Sequence, residues 1–223
     1  CSAFVSTVAF DKFACKSYLR DVDFVKLAPD AFIRKGSSVE DFSSEVASKL
    51  RFPVFVKPTN GGSSFGITKV KKAEDLASAV NYAFSEGPAV IVEQGISGRE
   101  LTCAAYFDGT AVRALPAIEI VTENDYFDYD AKYKGQVKEI TPARISEEIA
   151  AVVRKQTERI YNVLDAHGII RVDYIISADS TVNLLEVNTT PGMTPTSFIP
   201  QQVAAAGLEM KDVLSNIIEN QYK

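Results

Sequence analysis

The chain is predicted to fold as an α+β protein, and three observations carry that prediction. β-Branched and aromatic runs such as "FPVFVKP" interleave with amphipathic helical windows such as "AEDLASAVNYAF" along the whole length. Turn dipeptides at Asp108-Gly109 and Asp179-Ser180 join neighbouring strands directly. Hairpins are therefore too prominent for a simple doubly wound parallel sheet. Finally, 223 residues, 46% of them hydrophobic and 24% charged, suit one large or two small globular domains with ample core.

The elements follow in order. "DKFACKSYLR" reads as a helix with Phe13 and Leu19 on its apolar side, and a charged segment separates it from a second helix, "SVEDFSSEVASKL". The strand "FPVFVKP" stops at Pro58, and the glycine- and serine-rich loop "NGGSSFG" leads into a short strand, "ITKV". The amphipathic helix "AEDLASAVNYAF" ends at Gly87-Pro88, and strands are expected at "AVIVEQ", "ELTCAAYF" and "AVRALPAIEIV". "TENDYFDYDAKYKGQ" reads as a long, tyrosine-rich polar loop, and such a loop in a compact domain is more often functional than idle. A long helix is expected from an N-cap at Ser146 to about His167, with Glu147 and Glu148 in its first turn and Gly168 as its stop. The strands "IIRVDYIIS" and "VNLLEVN" come next, then two helices around residues 197–206 and 209–221.

Composition excludes several classes. A net charge of -5 gives no global reason to expect nucleic-acid binding. No apolar run approaches the roughly 18 residues of a membrane span. Cys1, Cys15 and Cys103 are odd in number and form no C-x-x-C, which speaks against disulfides or zinc and for a reducing cytoplasm. A start at Cys1 rather than methionine points to a fragment.

The chemistry is concentrated at the end of "VNLLEVN". Strict alternation would put Val182, Leu184, Glu186 and Asn188 on one face. With Asp179 and Ser180 as a two-residue loop, Asp173 falls opposite Glu186 and Arg171 opposite Asn188. Facing carboxylates repel unless a proton or cation lies between them. Hard oxygen donors of this kind suit Mg²⁺ shared with phosphates, although a salt bridge from Arg171 is the competing reading. Lys57 ends an apolar strand just before the glycine-serine loop, which reads as a phosphate cover or, by itself, as a plain turn. "VIVEQGISGRE" places Glu93 and Glu100 on a strand edge that could meet an adenine and a ribose.

Taken together, "DKFACK", "FVKPTNGGSSFGITKV", "VEQGISGRE", "FDYDAKY", "RVDYII" and "LLEVNTTPGMTPTS" resemble the ATP-grasp superfamily and, within it, the D-alanine–D-alanine ligase family. The resemblance implies two α+β units whose antiparallel sheets hold ATP between them. It divides the chain into a central unit, residues 1–100 with a phosphate-covering loop at 59–66, and a C-terminal unit, residues 101–223 with a lid at about 122–141. It matches Lys12 and Lys57 to lysines on the ATP phosphates, with Ser63 and Ser64 in the loop that closes over them. Glu93, Gln94, Ile96 and Leu185 belong to the nucleotide side, although the family often has a bulkier residue where Gly95 stands. Glu100 would bind the ribose. Asp173, Glu186 and Asn188 would ligate two Mg²⁺ ions, or Mn²⁺ in their place. Lys132 would stabilise the transferred phosphoryl group, and Arg171 the acyl phosphate and oxyanion. Ser197, with Gly192, would hold the second substrate. Ser63 and Tyr133 would orient the loop and the first D-alanine, and Tyr133 favours D-alanine as acceptor over D-lactate.

Family members also carry an N-terminal domain, with a glycine-rich loop beside the first D-alanine, and commonly form dimers. The expected function is therefore ATP-dependent joining of two D-alanines in a longer, cytoplasmic enzyme. A non-catalytic ATP-binding fragment and a related ligase with another acceptor are the competing readings. Some residues read as plain structure. His167 serves a helix C-terminus, Cys15 and Cys103 are packed hydrophobes, and Asp21, Asp23 and Asp30 are solvated surface. Tyr126, Phe127 and Tyr129 go with the lid.

Overall fold

The fold is that of a computed structural model, which describes residues 1–62, 65–122 and 137–222. Two sheets organise it. The smaller comprises β2 (Asp30–Arg34), β5 (Ala89–Gln94), β3 (Val54–Pro58) and β4 (Thr68–Val70) in that order, antiparallel throughout. Helices α3 (Val39–Lys49) and α4 (Leu76–Glu86) cover one face, burying Phe42, Val46, Leu76 and Val80 against Val54, Val56, Val90 and Val92. Ser38 caps α3 by accepting a hydrogen bond from the Asp41 amide, which satisfies one of the unpaired N–H groups of its first turn.

The larger sheet runs β1 (Lys26–Leu27), β11 (Val182–Asn188), β10 (Ile169–Ser177), β6 (Gly98–Phe107), β8 (Ile118–Thr122) and β9 (Val137–Ile140), and β7 (Val112–Ala114) also pairs with β6. Only the β1–β11 pair is parallel among the described pairings. On one face α1 (Ala3–Phe10), α2 (Lys12–Leu19) and α5 (Glu147–Val163) cover a core built on Val5, Leu19, Leu101, Ile160, Ile170, Val172 and Tyr174. On the other, α6 (Phe198–Ala205) and α7 (Met210–Glu219) bury Ile199, Val203 and Val213 against Ala104 and Tyr106. The division expected at residue 100 cuts across the first of these cores, because Val5, Ala9, Cys15, Leu19 and Val25 all belong to it.

Asp11 joins α1 to α2. Its side chain accepts from the Ala14 amide as N-cap of α2, while its own N–H closes the last turn of α1 on Thr7. Helix α1, read from the sequence only as an unassigned start, forms because Ser2 caps it and Val5 and Ala9 reach the core. The "AVRALPAIEIV" run is two strands, since Pro116 has no N–H to donate to a ladder. The long helix keeps its Ser146 cap but ends at Val163, and Asp165 turns it with a positive φ of 51°. His167 therefore lies beyond the helix, with Nδ1 3.0 Å from the Asp165 carbonyl oxygen, and does not serve the helix dipole. Cys15 and Cys103 are buried in the core as expected, and burial pushes both thiols up to about 12.

The β10–β11 hairpin corrects one reading and keeps another. The loop is one residue longer than two, closing from the Ser177 amide to the Thr181 carbonyl with Ser180 at φ 65°. The register shifts again between Asp173 and Tyr174, where β11 carries an extra residue, Leu185. The two offsets cancel. Asp173 pairs with Glu186 and Arg171 with Asn188, the predicted register. The strict alternation does not survive, because the bulge exchanges the faces. Val182, Leu184 and Val187 enter the core, whereas Leu185, Glu186 and Asn188 turn to the opposite side.

Candidate active site

Between the two sheets lies a cleft of about 1540 Å³, above the usual 300–1,000 Å³ or so of small-molecule sites. Lys12, Lys57, Glu93, Gln94, Ile96, Glu100, Arg171, Asp173, Leu185, Glu186, Asn188, Gly192 and Ser197 all line it. These are the candidate residues that fall within the described part of the chain. Ser63, Ser64, Lys132, Tyr133 and the aromatic residues of the expected lid lie outside the described residues.

One wall is the small sheet. Lys57 comes from β3 and Glu93 from β5, adjacent strands, and the Lys57 Nζ sits 2.5 Å from Glu93 Oε2. Burial would lower the Lys57 ammonium, but the Glu93 charge and hydrogen bond outweigh it and hold it above its ordinary value. Glu93 Oε1 accepts from Lys16 Nζ at 2.6 Å. Burial raises the Glu93 carboxyl, yet Lys57 and Lys16 together pull it down from 4.5 to about 2. Lys12 at the start of α2 donates to the Gly61 carbonyl at 3.0 Å, and its backbone amide to Thr59, so the helix and the glycine-rich loop are tied together. Gly95 has a local reason to be glycine, since a Cβ there would lie 2.8 Å from the Pro53 carbonyl oxygen. The Gln94 side chain accepts from the Arg51 amide at 3.0 Å.

This pairing has a pH signature. A depressed carboxyl stabilises the fold above its unfolded pKa and loses that contribution as pH falls through the folded one. Glu93 should thus contribute on the order of 3 kcal/mol at neutral pH, lost between pH about 4.5 and 2. Urea unfolding of the wild type and Glu93→Gln should show a gap that narrows across that window. A gap independent of pH there would mean that the carboxylate is not paired as described.

The facing wall is β6, β10 and β11. Arg171 grips Asp173 with a two-point fork, Nε to Oδ1 at 2.9 Å and Nη2 to Oδ2 at 2.8 Å, and its Nη2 lies 3.7 Å from Glu186 Oε1. The guanidinium also sits 5.5 Å from the Phe198 ring centroid at the start of α6. Burial would raise the Asp173 carboxyl, but Arg171 outweighs it and holds the group below its ordinary value. Asn188 Oδ1 accepts from the Thr190 amide at 2.9 Å. The salt bridge set against a metal site in the sequence is thus present, and Asn188 also has a local role.

The donor set still fits Mg²⁺. Two facing carboxylates and an amide oxygen are hard ligands, and the Arg171 fork occupies only two of about four lone-pair positions on Asp173. Among the described residues no group of three or more His, Cys, Asp and Glu is arranged to hold a metal, so Asn188 is needed to complete this one.

Ser197 precedes α6 without capping it by a side-chain hydrogen bond. Its Oγ accepts from the Thr194 amide at 3.1 Å and meets the Thr194 hydroxyl at 2.7 Å. Gly192 lies against it, and a Cβ at that position would come within 2.8 Å of Ser197 Oγ. Glycine there leaves the hydroxyl room at the cleft. Sequence reasoning missed Lys16 and Asp30. Asp30 is not solvated surface, because its side chain is 4% exposed and meets Lys16 and Arg20, each at 3.0 Å.

Two sheets closing on a cleft that holds lysines on one side and a carboxylate–arginine cluster on the other define an ATP-grasp protein. A family model described as "D-ala D-ala ligase C-terminus" matches residues 18–219, and the chain belongs to that family. A D-alanine–D-alanine ligase of Parabacteroides distasonis is 52% identical over 224 residues, covering 100% of this chain and 67% of the relative. The ligase of Bacteroides fragilis is 50% identical and is covered over 68% of its length. Among solved structures, the VanG D-Ala:D-Ser ligase from Enterococcus faecalis superposes with a TM-score of 0.89 at 30% identity, over 98% of this chain and 63% of that one. The chain thus spans about two thirds of the length of such relatives. No described helix is long and apolar enough to cross a membrane.

Proposed function

We propose that the chain is the ATP-binding part of a ligase that joins two D-alanines, with ADP and phosphate as the other products. The observation that carries this reading is the convergence of every described candidate residue on one cleft, with Lys12 and Lys57 on one side and the Arg171–Asp173–Glu186–Asn188 cluster on the other. The carboxylate of the first D-alanine attacks the γ-phosphorus of ATP, forming an O–P bond as the bond to ADP breaks. The amine of the second attacks the acyl carbon, a C–N bond forms, inorganic phosphate leaves, and the amine proton passes to solvent.

Lys12 and Lys57 place the phosphates, and catalysis of this kind depends mainly on positioning and charge neutralisation. Arg171 offers its N–H groups to the acyl phosphate and then to the developing oxyanion. Ser197 binds the carboxylate of the second D-alanine. Asp173, Glu186 and Asn188 would hold Mg²⁺, two ions or Mn²⁺ in their place, whose chemistry is to neutralise the phosphate oxygens. The roles of Ser63, Ser64, Lys132 and Tyr133, and the preference for D-alanine as acceptor, rest on the sequence match. A cytoplasmic homodimer is the form proposed for the longer enzyme.

Two experiments test the reading. Calorimetric titration of the chain with ATP should give binding with Mg²⁺ that is lost in EDTA; no binding in either would overturn the nucleotide role. The chain joined at its start to the remaining third of the Parabacteroides relative should release ADP only when D-alanine is added. Release that responds instead to D-serine or D-lactate would move the acceptor assignment.

A further inference from the structure

Lys16 has no part in the reading above, yet it is more completely enclosed than any ligand-facing lysine of the cleft, with its side chain 5% exposed. Its helix, α2, belongs to the larger core through Cys15 and Leu19. All three partners of its ammonium lie on the other side, in the small sheet or in the segment leading to it. They are the Ala28 carbonyl at 2.9 Å, Asp30 Oδ2 at 3.0 Å and Glu93 Oε1 at 2.6 Å. Two of these contacts are hydrogen bonds and the third, to Asp30, is an ion pair, and those to Asp30 and Glu93 cross from the larger core to the small sheet. Asp30 and Glu93 are direct partners in the β2–β5 ladder, and Lys16 bridges these two carboxylates, which Arg20 and Lys57 also meet.

Glu93 is shared. One oxygen takes Lys16 and the other Lys57 at 2.5 Å, so the position of the Lys57 ammonium depends on what Lys16 does. Without Lys16 the carboxylate would turn both oxygens to Lys57, drawing it away from the cleft, and α2 would lose its ion pairs to β2 and β5. A latch made only for stability has no need of charge, because a packed hydrophobe does as well in such a place.

We propose that Lys16 is a positioning residue for the nucleotide: acting through Glu93, it sets the direction of the Lys57 ammonium and fixes α2, with Lys12 at its start, against the small sheet. The inference rests on the nucleotide reading of the cleft. Lys16 lines the same cleft, and the inference concerns how it acts through the buried Lys16–Glu93–Lys57 chain.

The test is the ATP dissociation constant of the chain with Mg²⁺, measured by calorimetry well below each variant's own Tm. Lys16→Met should raise it about tenfold or more, since Glu93 would keep only Lys57 and redirect it. Lys16→Gln, whose amide can still donate to the Ala28 carbonyl, is the variant to use if the methionine does not fold, and the same weakening is expected. In a Glu93→Gln background the Lys16 substitution should add less than about a further twofold, because the shared intermediary is already lost. Wild-type affinity in a folded Lys16 variant overturns the inference, and so do effects that simply multiply, since an influence that runs through Glu93 disappears once Glu93 is neutral. If the wild type fails to bind ATP, the nucleotide reading itself falls and the inference falls with it.

Discussion

Arg171→Met should lower D-alanine-dependent ADP release by about a thousandfold in the extended chain, while the ATP dissociation constant changes by only about threefold. The asymmetry follows from what the guanidinium touches. Its fork is closed on Asp173 and its guanidinium lies near Phe198, at the start of the helix that follows Ser197, so it sits between the acid cluster and the residue proposed to hold the acceptor. A donor held this firmly needs no reorganisation when negative charge develops beside it. The substitution also leaves the buried Asp173 carboxylate without its fork, a change that typically costs about 3–5 kcal/mol of stability. Single-turnover phosphate release, taken below the variant's Tm, separates the two effects. Equal losses in affinity and turnover would instead assign Arg171 to nucleotide binding.

How far the sequence reaches is clearest at the hairpin that carries this site. The pairing of Asp173 with Glu186 was predictable from a two-residue loop, although the loop is longer and the bulge at Leu185 restores the count. A bulge leaves no mark on hydrophobic spacing in a strand where Leu184 and Leu185 are identical in type. The faces were therefore misread where the register was not. Helix α1 escaped notice because "AFVSTVAF" is apolar all round and β-branched at Val5, Thr7 and Val8, so it lacks a polar face to reveal its period. Strand β2 was hidden by Asp30 and Arg34 at its ends, in a stretch that reads as charged surface.

The polar residues that line the cleft were legible in the sequence for a physical reason. Carboxylates, amides and lysines at strand ends are costly unless something meets them, so they stand out even in a single sequence. Lys16 stood out less. A lysine on an amphipathic helix is ordinarily solvated, and only the tertiary structure reveals that Asp30 and Glu93 come to it from another sheet. The same limit applies to Glu93, which was readable as a cleft residue but not as the carboxylate shared by two buried ammonium groups.

The two carboxylates of the acid cluster are expected to respond differently to amide substitution. Asp173 is buried and clamped by Arg171, whereas the Glu186 side chain is 38% exposed and 3.7 Å from the guanidinium. Glu186→Gln should therefore shift Tm by no more than about 2 °C, because a half-exposed pair at that distance contributes little. It should nonetheless raise the Mg²⁺ concentration needed for ATP binding by about tenfold or more, since one anionic ligand is lost. Asp173→Asn should do both, lowering Tm and weakening the Mg²⁺ response, because the asparagine gives Arg171 one acceptor where it had two. ATP titrations over a range of Mg²⁺, paired with thermal melts of each variant, distinguish the cases. If Glu186→Gln keeps the wild-type Mg²⁺ dependence, the cluster is a salt bridge that happens to face a nucleotide. If it needs more Mg²⁺ and keeps its Tm, Glu186 is in the cleft for the cation, and the bulge at Leu185 is what turned it there.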